Sequence, residues 1–457
     1  MDKKKRMEEL ICEANSKGLF TGSWLYAENG EIVAKGAVGW SDTVDSIPMS
    51  EDMIVDLASV SKNFTAAAIM LLRRRGLLDL DDEITRFFPE IPYKGVTLRN
   101  LLNHTGGLPD YMEWVAMTAV KENTIPDNDV IVRFLCECGK DADFAPGEKW
   151  EYSNTGYCLL AQIVEEVSGE KFEDFMQKNI FDPAGMNSTK IIHRRRDNLA
   201  PDNLATGIVL DLKAEKYELP DTSSDYGFVV PLDGMSGDGM VHSNIFDLLK
   251  WDRVLRAGTV LTKEEQEMMY TPGKLNSGED AVAGKESDAP NYGFGWEVGT
   301  VPEFGMLVCH SGSWPGYWTW FERYIDTDRT LIMLRCRDPK DARAYQIFFE
   351  GMKNIVKGKE PGTIMTLEDI AVADPDIDAW EAYCGEYESP EGEDVCLNKV
   401  FVRDCALYGE ISLYGGDPCD VRIYQIGENE FGIKKYAIPI TFEDGYVSYL
   451  GQKYRKK

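Results

Sequence analysis

The apolar residues of this chain change period along its length, and that change limits the fold more than any other feature. From Ser61, Phe64, Ala67, Ala68, Leu71 and Leu72 recur at i, i+3, i+4 and i+7, the spacing of a helix with one buried face. Gly76 follows Arg73-Arg74-Arg75 as a stop signal, with cations at the negative end of the helix. Tyr157, Leu160, Ala161, Val164 and Val167 predict a second helix over 154–167, ended by Ser168-Gly169. A third is predicted from Ser243, read as its N-cap, to Ala257, closed by Gly258. Another amphipathic helix starts the chain. Strands surround this block. Ser23–Ala27 and Glu31–Val38 predict a hairpin about Asn29-Gly30, and 305–309, 318–325 and 330–334 read as strands. Helices grouped between strands, rather than alternating with them, predict an α+β fold.

After Lys357 the helical spacing stops. Gly358–Gly362 and 371–378 read as a linker, so the expected domains are 1–357 and 379–457 with 358–378 between them. Short apolar runs at 395–402, 411–414, 421–426, 438–442 and 446–450, with turn signals at Gly415-Gly416 and Asp444-Gly445, predict a small all-β barrel or sandwich.

Charge narrows the function. Lys plus Arg is 49 and Asp plus Glu 78, a net charge of −29. Such a chain repels phosphate backbones and anionic membrane surfaces, so nucleic acid and membrane are not expected partners. Its four histidines fall in no H-E-x-x-H or H-x-H pattern, and no G-x-G-x-x-G or phosphate loop is present, so neither a metal nor an organic cofactor is expected. The ten cysteines are scattered, and the basic start runs into an amphipathic segment rather than an apolar one. The expectation is a cytoplasmic protein with free thiols.

Three short stretches carry chemistry. In Ser59-Val60-Ser61-Lys62, a helix starting near Ser59 puts hydroxyl and amine on one face, where a desolvated lysine can act as base or polarise the hydroxyl. The same spacing at Ser168–Lys171, among charges at a helix end, reads as capping. In Tyr152-Ser153-Asn154, a phenolate could take the serine proton and the asparagine could hold Lys62 and a substrate amide; the alternative is a buried tyrosine and a helix-capping asparagine. In His310-Ser311-Gly312-Ser313, after an apolar strand, His310 would face a cleft and Cys309 the other side. Gly312 would let a substrate approach the backbone, and the amides of Ser313 and Ser59 could hold an oxyanion. The alternative is a core histidine before a turn.

Together, Ser59-x-x-Lys62, Tyr152-x-Asn154 and His310-x-Gly312, in this order, resemble the serine β-lactamase and penicillin-binding protein superfamily. The resemblance is strongest to the class C β-lactamase-like branch, with its esterases, D-aminopeptidases and D-Ala-D-Ala carboxypeptidases. Leu101–Asp110, Tyr292-Gly-Phe-Gly-Trp296 and His310–Gly316 are also similar. Cys384-Gly-Glu-Tyr387 and the β-rich tail are similar to a lipocalin-like barrel of some members. The resemblance implies an antiparallel sheet flanked by helices, with a helical subdomain. It implies acyl-enzyme chemistry on Ser59, Lys62 as its partner, Tyr152 as base and later acid, and substrate contacts from Asn154, His310, Ser311, Gly312 and Ser313. His310 departs from the family pattern, since most β-lactamases and penicillin-binding proteins have lysine there. A short peptide, including one with D-residues, or a small ester is the implied substrate. A β-lactamase or carboxypeptidase is the enzymatic alternative, and a catalytically silent scaffold the other. A homo-oligomer is compatible with the sequence.

The remaining residues have plainer readings. His104, in the Gly-rich loop at 101–110, is read as structural, and His193-Arg194-Arg195-Arg196 as a solvated face. Trp314, Tyr317, Trp318 and Trp320 are read as part pocket wall, part sheet core. Cys309 has no thiol-protease context, and no G-x-S-x-G elbow occurs.

Overall fold

A computed structural model describes residues 2–44, 46–211, 213, 216–283, 290–373, 375–388, 395–413, 418–443, 445–450 and 452–457. The turn expected at Gly415-Gly416, together with Tyr414 and Asp444, lies outside them. Seven antiparallel strands form the central sheet. They are β1 (Gly22–Glu28), β2 (Glu31–Val38), β3 (Asn291–Tyr292), β4 (Glu297–Val301), β5 (Gly305–Trp314), β6 (Tyr317–Tyr324) and β7 (Arg329–Arg335), in the order β2-β1-β7-β6-β5-β4-β3. The central strands carry apolar residues on both faces because both faces are covered. Trp24, Tyr26, Cys309, Leu331 and Met333 pack beneath helices α1 (Lys3–Ser16) and α5 (Ala342–Val356). Their neighbours Leu25, Ala27, Val308, Ile332 and Leu334 face the opposite core, with Phe64 of α2 (Lys62–Arg74), Leu160 of α3 (Asn154–Ser168) and Trp251 of α4 (Ile245–Ala257). This is the α+β fold expected, and the Ser59 turn lies on the α2 side.

Three expectations need correction. The N-cap of α4 is Asn244, whose Oδ1 accepts from the N–H groups of Phe246 (3.1 Å) and Asp247 (2.9 Å); Ser243 pairs with Val55 in a short strand instead. The strand expected to stop at Cys309 continues to Trp314, because its pairing with β6 runs on to Trp314 opposite Tyr317. Finally, the Gly/Pro-rich 358–378 stretch contains a short helix, Leu367–Ile370, capped by Thr366. Ile364 and Leu367 are buried, so two apolar anchors fasten a segment that reads as a linker.

The tail closes into a β-barrel of eight strands: β8 (Gly385–Glu388), β9 (Val395–Arg403), β10 (Ala406–Leu413), β11 (Cys419–Gln425), β12 (Phe431–Ile433), β13 (Tyr436–Glu443), β14 (Tyr446–Tyr449) and β15 (Gln452–Lys456). Closure removes the exposed edges that eight short strands would otherwise present. The β12–β13 turn meets the larger unit. There Lys435 Nζ donates to Tyr226 Oη (2.9 Å) and Asp338 Oδ2 (2.9 Å), and the Lys434 carbonyl accepts from the N–H of Ala342 at the start of α5 (2.7 Å).

Candidate active site

Ser59 and Lys62 occupy a tight turn that leads into α2. Residues Ala58–Ser61 form one turn of 3₁₀ helix, and the α-helix begins at Lys62. In a 3₁₀ turn, residues three apart are eclipsed, so the two side chains meet, with Lys62 Nζ 3.0 Å from Ser59 Oγ. Ala58 holds a left-handed backbone (φ 46°) immediately before the serine, a conformation costly for a non-glycine residue and concentrated at functional sites. The Asp56 carboxylate caps the turn by accepting from the Ala58 N–H (2.8 Å). Ser59 is half-buried and Lys62 fully buried.

Lys62 Nζ has two further partners, Asn154 Oδ1 (2.9 Å) and the Asp238 carbonyl oxygen (2.8 Å). Both are pure acceptors, so each takes one N–H of the amine. Asn154 is free to do so because Ser153 caps α3, its Oγ accepting from the Gly156 N–H (3.2 Å). The capping asparagine considered from sequence is therefore not what forms. The ammonium also lies 4.8 Å from the centre of the Tyr152 ring, within cation–π reach. Thus Ser59, Lys62, Tyr152 and Asn154, up to 95 positions apart in the chain, meet in one cleft.

The third stretch lies on β5. Val308 and His310 face this cleft and Cys309 the far side, where burial pushes its thiol well up and removes it as a nucleophile. His310 is buried. Its Nδ1 lies 2.5 Å from the Ser311 carbonyl and so carries the hydrogen, while Nε2 accepts from Tyr292 Oη (2.9 Å). Burial, reinforced by the charge of Lys62, pulls the imidazole down to about 3. His310 is thus neutral and engaged with Tyr292. Ser311 is half-buried and Ser313 exposed on the same strand.

Gly312 has a different reason from the one the sequence suggested. A methyl group there would sit 2.1 Å from the carbonyl oxygen of Leu57 and 2.4 Å from Thr319 Oγ1. The close approach is made by the turn that carries Ser59. Gly295, in the Tyr292–Trp296 segment, likewise leaves room for the Lys62 carbonyl, 2.7 Å from where its Cβ would stand. Gly312→Ala should therefore push β5 away from the Ser59 turn. We expect a loss of about 1–3 kcal/mol in stability and roughly a tenfold or greater fall in turnover from misplaced groups. Thermal unfolding and ester hydrolysis measure both, and unchanged turnover would refute this packing argument.

Other residues fall elsewhere. Trp318 and Trp320 stack in parallel on the far face of the sheet, against Phe349 of α5, so they do not wall the cleft. Tyr317 is core, its hydroxyl donating to the Ala205 carbonyl (2.9 Å). Trp314 packs against Phe228. The 193–196 segment is no solvated face: His193 is buried, and Arg195 pairs with Asp221 (2.7 Å) and Asp233 (2.9 Å). It borders a cavity of about 370 Å³, separate from Ser59, also lined by Asp127, Glu165, Glu173 and Ser236. Among the described residues no cluster of His, Cys, Asp or Glu is arranged to hold a metal ion, and no helix is long and apolar enough to cross a membrane.

Two partners escaped sequence reading. Tyr292 was visible only as part of the Tyr292–Trp296 resemblance. Asp238 acts through its carbonyl, which no side-chain pattern marks; the bracketing Gly237 and Gly239 were the one available signal.

Residues 7–347 match the family model described as Beta-lactamase. Penicillin-binding protein 4* of Bacillus subtilis (strain 168) is 35% identical over 452 residues, covering 98% of this chain and 96% of that protein. Two solved structures share the fold. The octameric penicillin-binding protein homologue from Pyrococcus abyssi aligns with a TM-score of 0.65 at 24% identity, covering 99% of both chains. D-amino acid amidase from Ochrobactrum anthropi SV3, complexed with L-phenylalanine amide, aligns with a TM-score of 0.61 at 24% identity, over 78% of this chain and 97% of that one.

Proposed function

This chain belongs to the beta-lactamase family, and on that footing we propose that it is a serine hydrolase that cleaves a short peptide amide, including one with a D-residue, or a small ester, through an acyl-enzyme on Ser59. The observation that carries this reading is Lys62 Nζ, held 3.0 Å from a solvent-accessible serine hydroxyl and locked by two carbonyl acceptors. With two N–H groups held by those carbonyls, Lys62 directs its third at Ser59 Oγ. Tyr152 then takes the hydroxyl proton, with Lys62 polarising Oγ, as Oγ attacks the substrate carbonyl. The tetrahedral oxyanion is held by the N–H groups of Ser59 and Ser313. Ser59 is the second residue of its turn, where the N–H has no acceptor within the turn. On collapse, Tyr152 returns the proton to the leaving amine or alcohol, and water repeats the sequence to release the acid. Asn154 orients the substrate amide as well as Lys62, and the exposed edge formed by Ser311–Ser313 lies alongside.

A neutral, tethered His310 is a weak anchor for a substrate carboxylate, which favours a peptide amide or ester over β-lactams and carboxypeptidase substrates. The amidase that shares the fold supports an amide. The octameric archaeal homologue supports a homo-oligomer. The barrel, docked through Lys435 beside Tyr226, is read as a separate unit at 379–457 that bounds access to the cleft.

A fluorophosphonate probe, followed by peptide mapping, tests the reading. A label on the Ser59 peptide is expected, with turnover of p-nitrophenyl esters or D-aminoacyl amides exceeding that of nitrocefin. No label and no turnover would favour a silent scaffold. Nitrocefin turnover above the esters and amides would favour a β-lactamase.

A further inference from the structure

His104 precedes Thr105-Gly-Gly in a loop that is bonded to the segment carrying Tyr152 at two points. Its carbonyl accepts from the Glu151 N–H (3.0 Å), and its ring Nδ1 accepts from the Ser153 N–H (3.1 Å). These bonds bracket Tyr152. The imidazole also lies against the phenol, with ring centres 4.4 Å apart, and is enclosed by Tyr292 (4.6 Å), Tyr157 (5.1 Å) and Trp150 (5.9 Å). Tyr152 itself is 38% exposed. His104 adopts a left-handed backbone (φ 61°) to direct both its carbonyl and its ring at one strand of chain, strain of the kind retained where position matters.

We propose that His104 is a positioning residue for the Tyr152 phenol, acting through the backbone of residues 151–153. An Nδ1 that accepts from a backbone N–H must be unprotonated, so the ring hydrogen is on Nε2. That Nε2 is buried among aromatic rings, without a hydrogen-bond partner among the described residues. Burial, with the positive charge of Lys62 beside it, holds the ring well below the ordinary histidine range. A protonated ring would lose the Ser153 bond and set a second cation beside Lys62. The neutral ring keeps the Tyr152 phenol in place over the ammonium.

This rests on the hydrolase reading above, and the test separates the two. His104→Asn keeps an acceptor oxygen where Nδ1 stands and tolerates the left-handed backbone. His104→Phe keeps a ring but no acceptor. The readouts are the rate of Ser59 labelling by a fluorophosphonate, and kcat and KM for p-nitrophenyl acetate. We expect His104→Asn to stay within about threefold of wild type. We expect His104→Phe to lose roughly 10–100-fold in kcat, with KM within about twofold, as for a misplaced catalytic group. Equal kcat in wild type and a folded His104→Phe overturns the inference, as does an equal fall in both variants. Should His104→Phe not fold, nitrogen-15 spectra of the wild-type histidines decide, since a His104 proton on Nδ1 also overturns it. An unlabelled wild type would instead remove the hydrolase reading, and the tautomer measurement would still decide the contact.

Discussion

Replacing Lys62 by methionine is expected to slow acylation of Ser59 by about 10²–10⁴-fold, the range for removing a group that activates the nucleophile. Methionine fills nearly the same buried volume but ends in an apolar methyl. The hydroxyl then loses its 3.0 Å partner, and Asn154 Oδ1 and the Asp238 carbonyl lose theirs. Lys62→Arg should fail almost as badly. The flat fork of a guanidinium cannot reach three acceptors arranged around one nitrogen. Time courses of fluorophosphonate labelling give the rates, and circular dichroism confirms that the variants fold. A loss of less than tenfold in a folded Lys62→Met would mean that Tyr152 suffices as base.

Replacing Asp252 by asparagine should destabilise the larger domain by about 3–5 kcal/mol, the cost of stripping the counter-charge from buried cations. Asp252 is fully buried in α4. It accepts from Arg323 of β6 (2.6 Å) and Arg256 (3.0 Å), and it also pairs with Arg253. Arg323 is itself fully buried, with its other end on Tyr270 Oη (2.5 Å). Arg256 reaches the carbonyls of Tyr324 (3.0 Å) and Ile325 (2.9 Å), fastening α4 to the end of β6. Burial alone would raise the Asp252 carboxyl, but the charges of Arg323, Arg256 and Arg253 outweigh it and hold it below the ordinary aspartate value. A carboxyl depressed in the folded state stabilises above its unfolded value of about 3.9, and that contribution is lost as pH falls through its folded value. Asparagine removes the effect at every pH and turns an amide N–H₂ toward arginine donors. Thermal unfolding near neutral pH should show the midpoint fall by roughly 5–10 °C, and acid unfolding should begin from a lower plateau. A change below about 1 kcal/mol would mean that Asp328 takes over the cations.

The local elements were largely legible, because period, turn chemistry and caps are encoded by neighbours. The hairpin about Asn29-Gly30, α2 ending before Gly76, and α3 ending at Gly169 stand where the apolar spacing and glycines put them. Reading failed where two local signals competed or where a distant segment intervened. Ser243 and Asn244 are both good caps, and the choice went to Asn244 because Ser243 is taken up by pairing with Val55. The basic run at Arg194–Arg196 looks solvated until Asp221 and Asp233 arrive to neutralise it. The aromatic run at 314–320 reads as part pocket wall and part sheet core, and only the covering by α5 places Trp318 and Trp320 in the core.

The same division holds at the site. Residue identity and spacing along the chain determined the β-rich tail and the meeting of Ser59 with Lys62, since one tight turn alone brings the two together. Tertiary structure alone decided that Lys62 meets the Asp238 carbonyl, that His310 is neutral and tied to Tyr292, and that Gly312 makes room for Leu57. Desolvation, carbonyl acceptors and steric room come from atoms remote in sequence, and backbone atoms carry no residue-specific mark by which to foresee them.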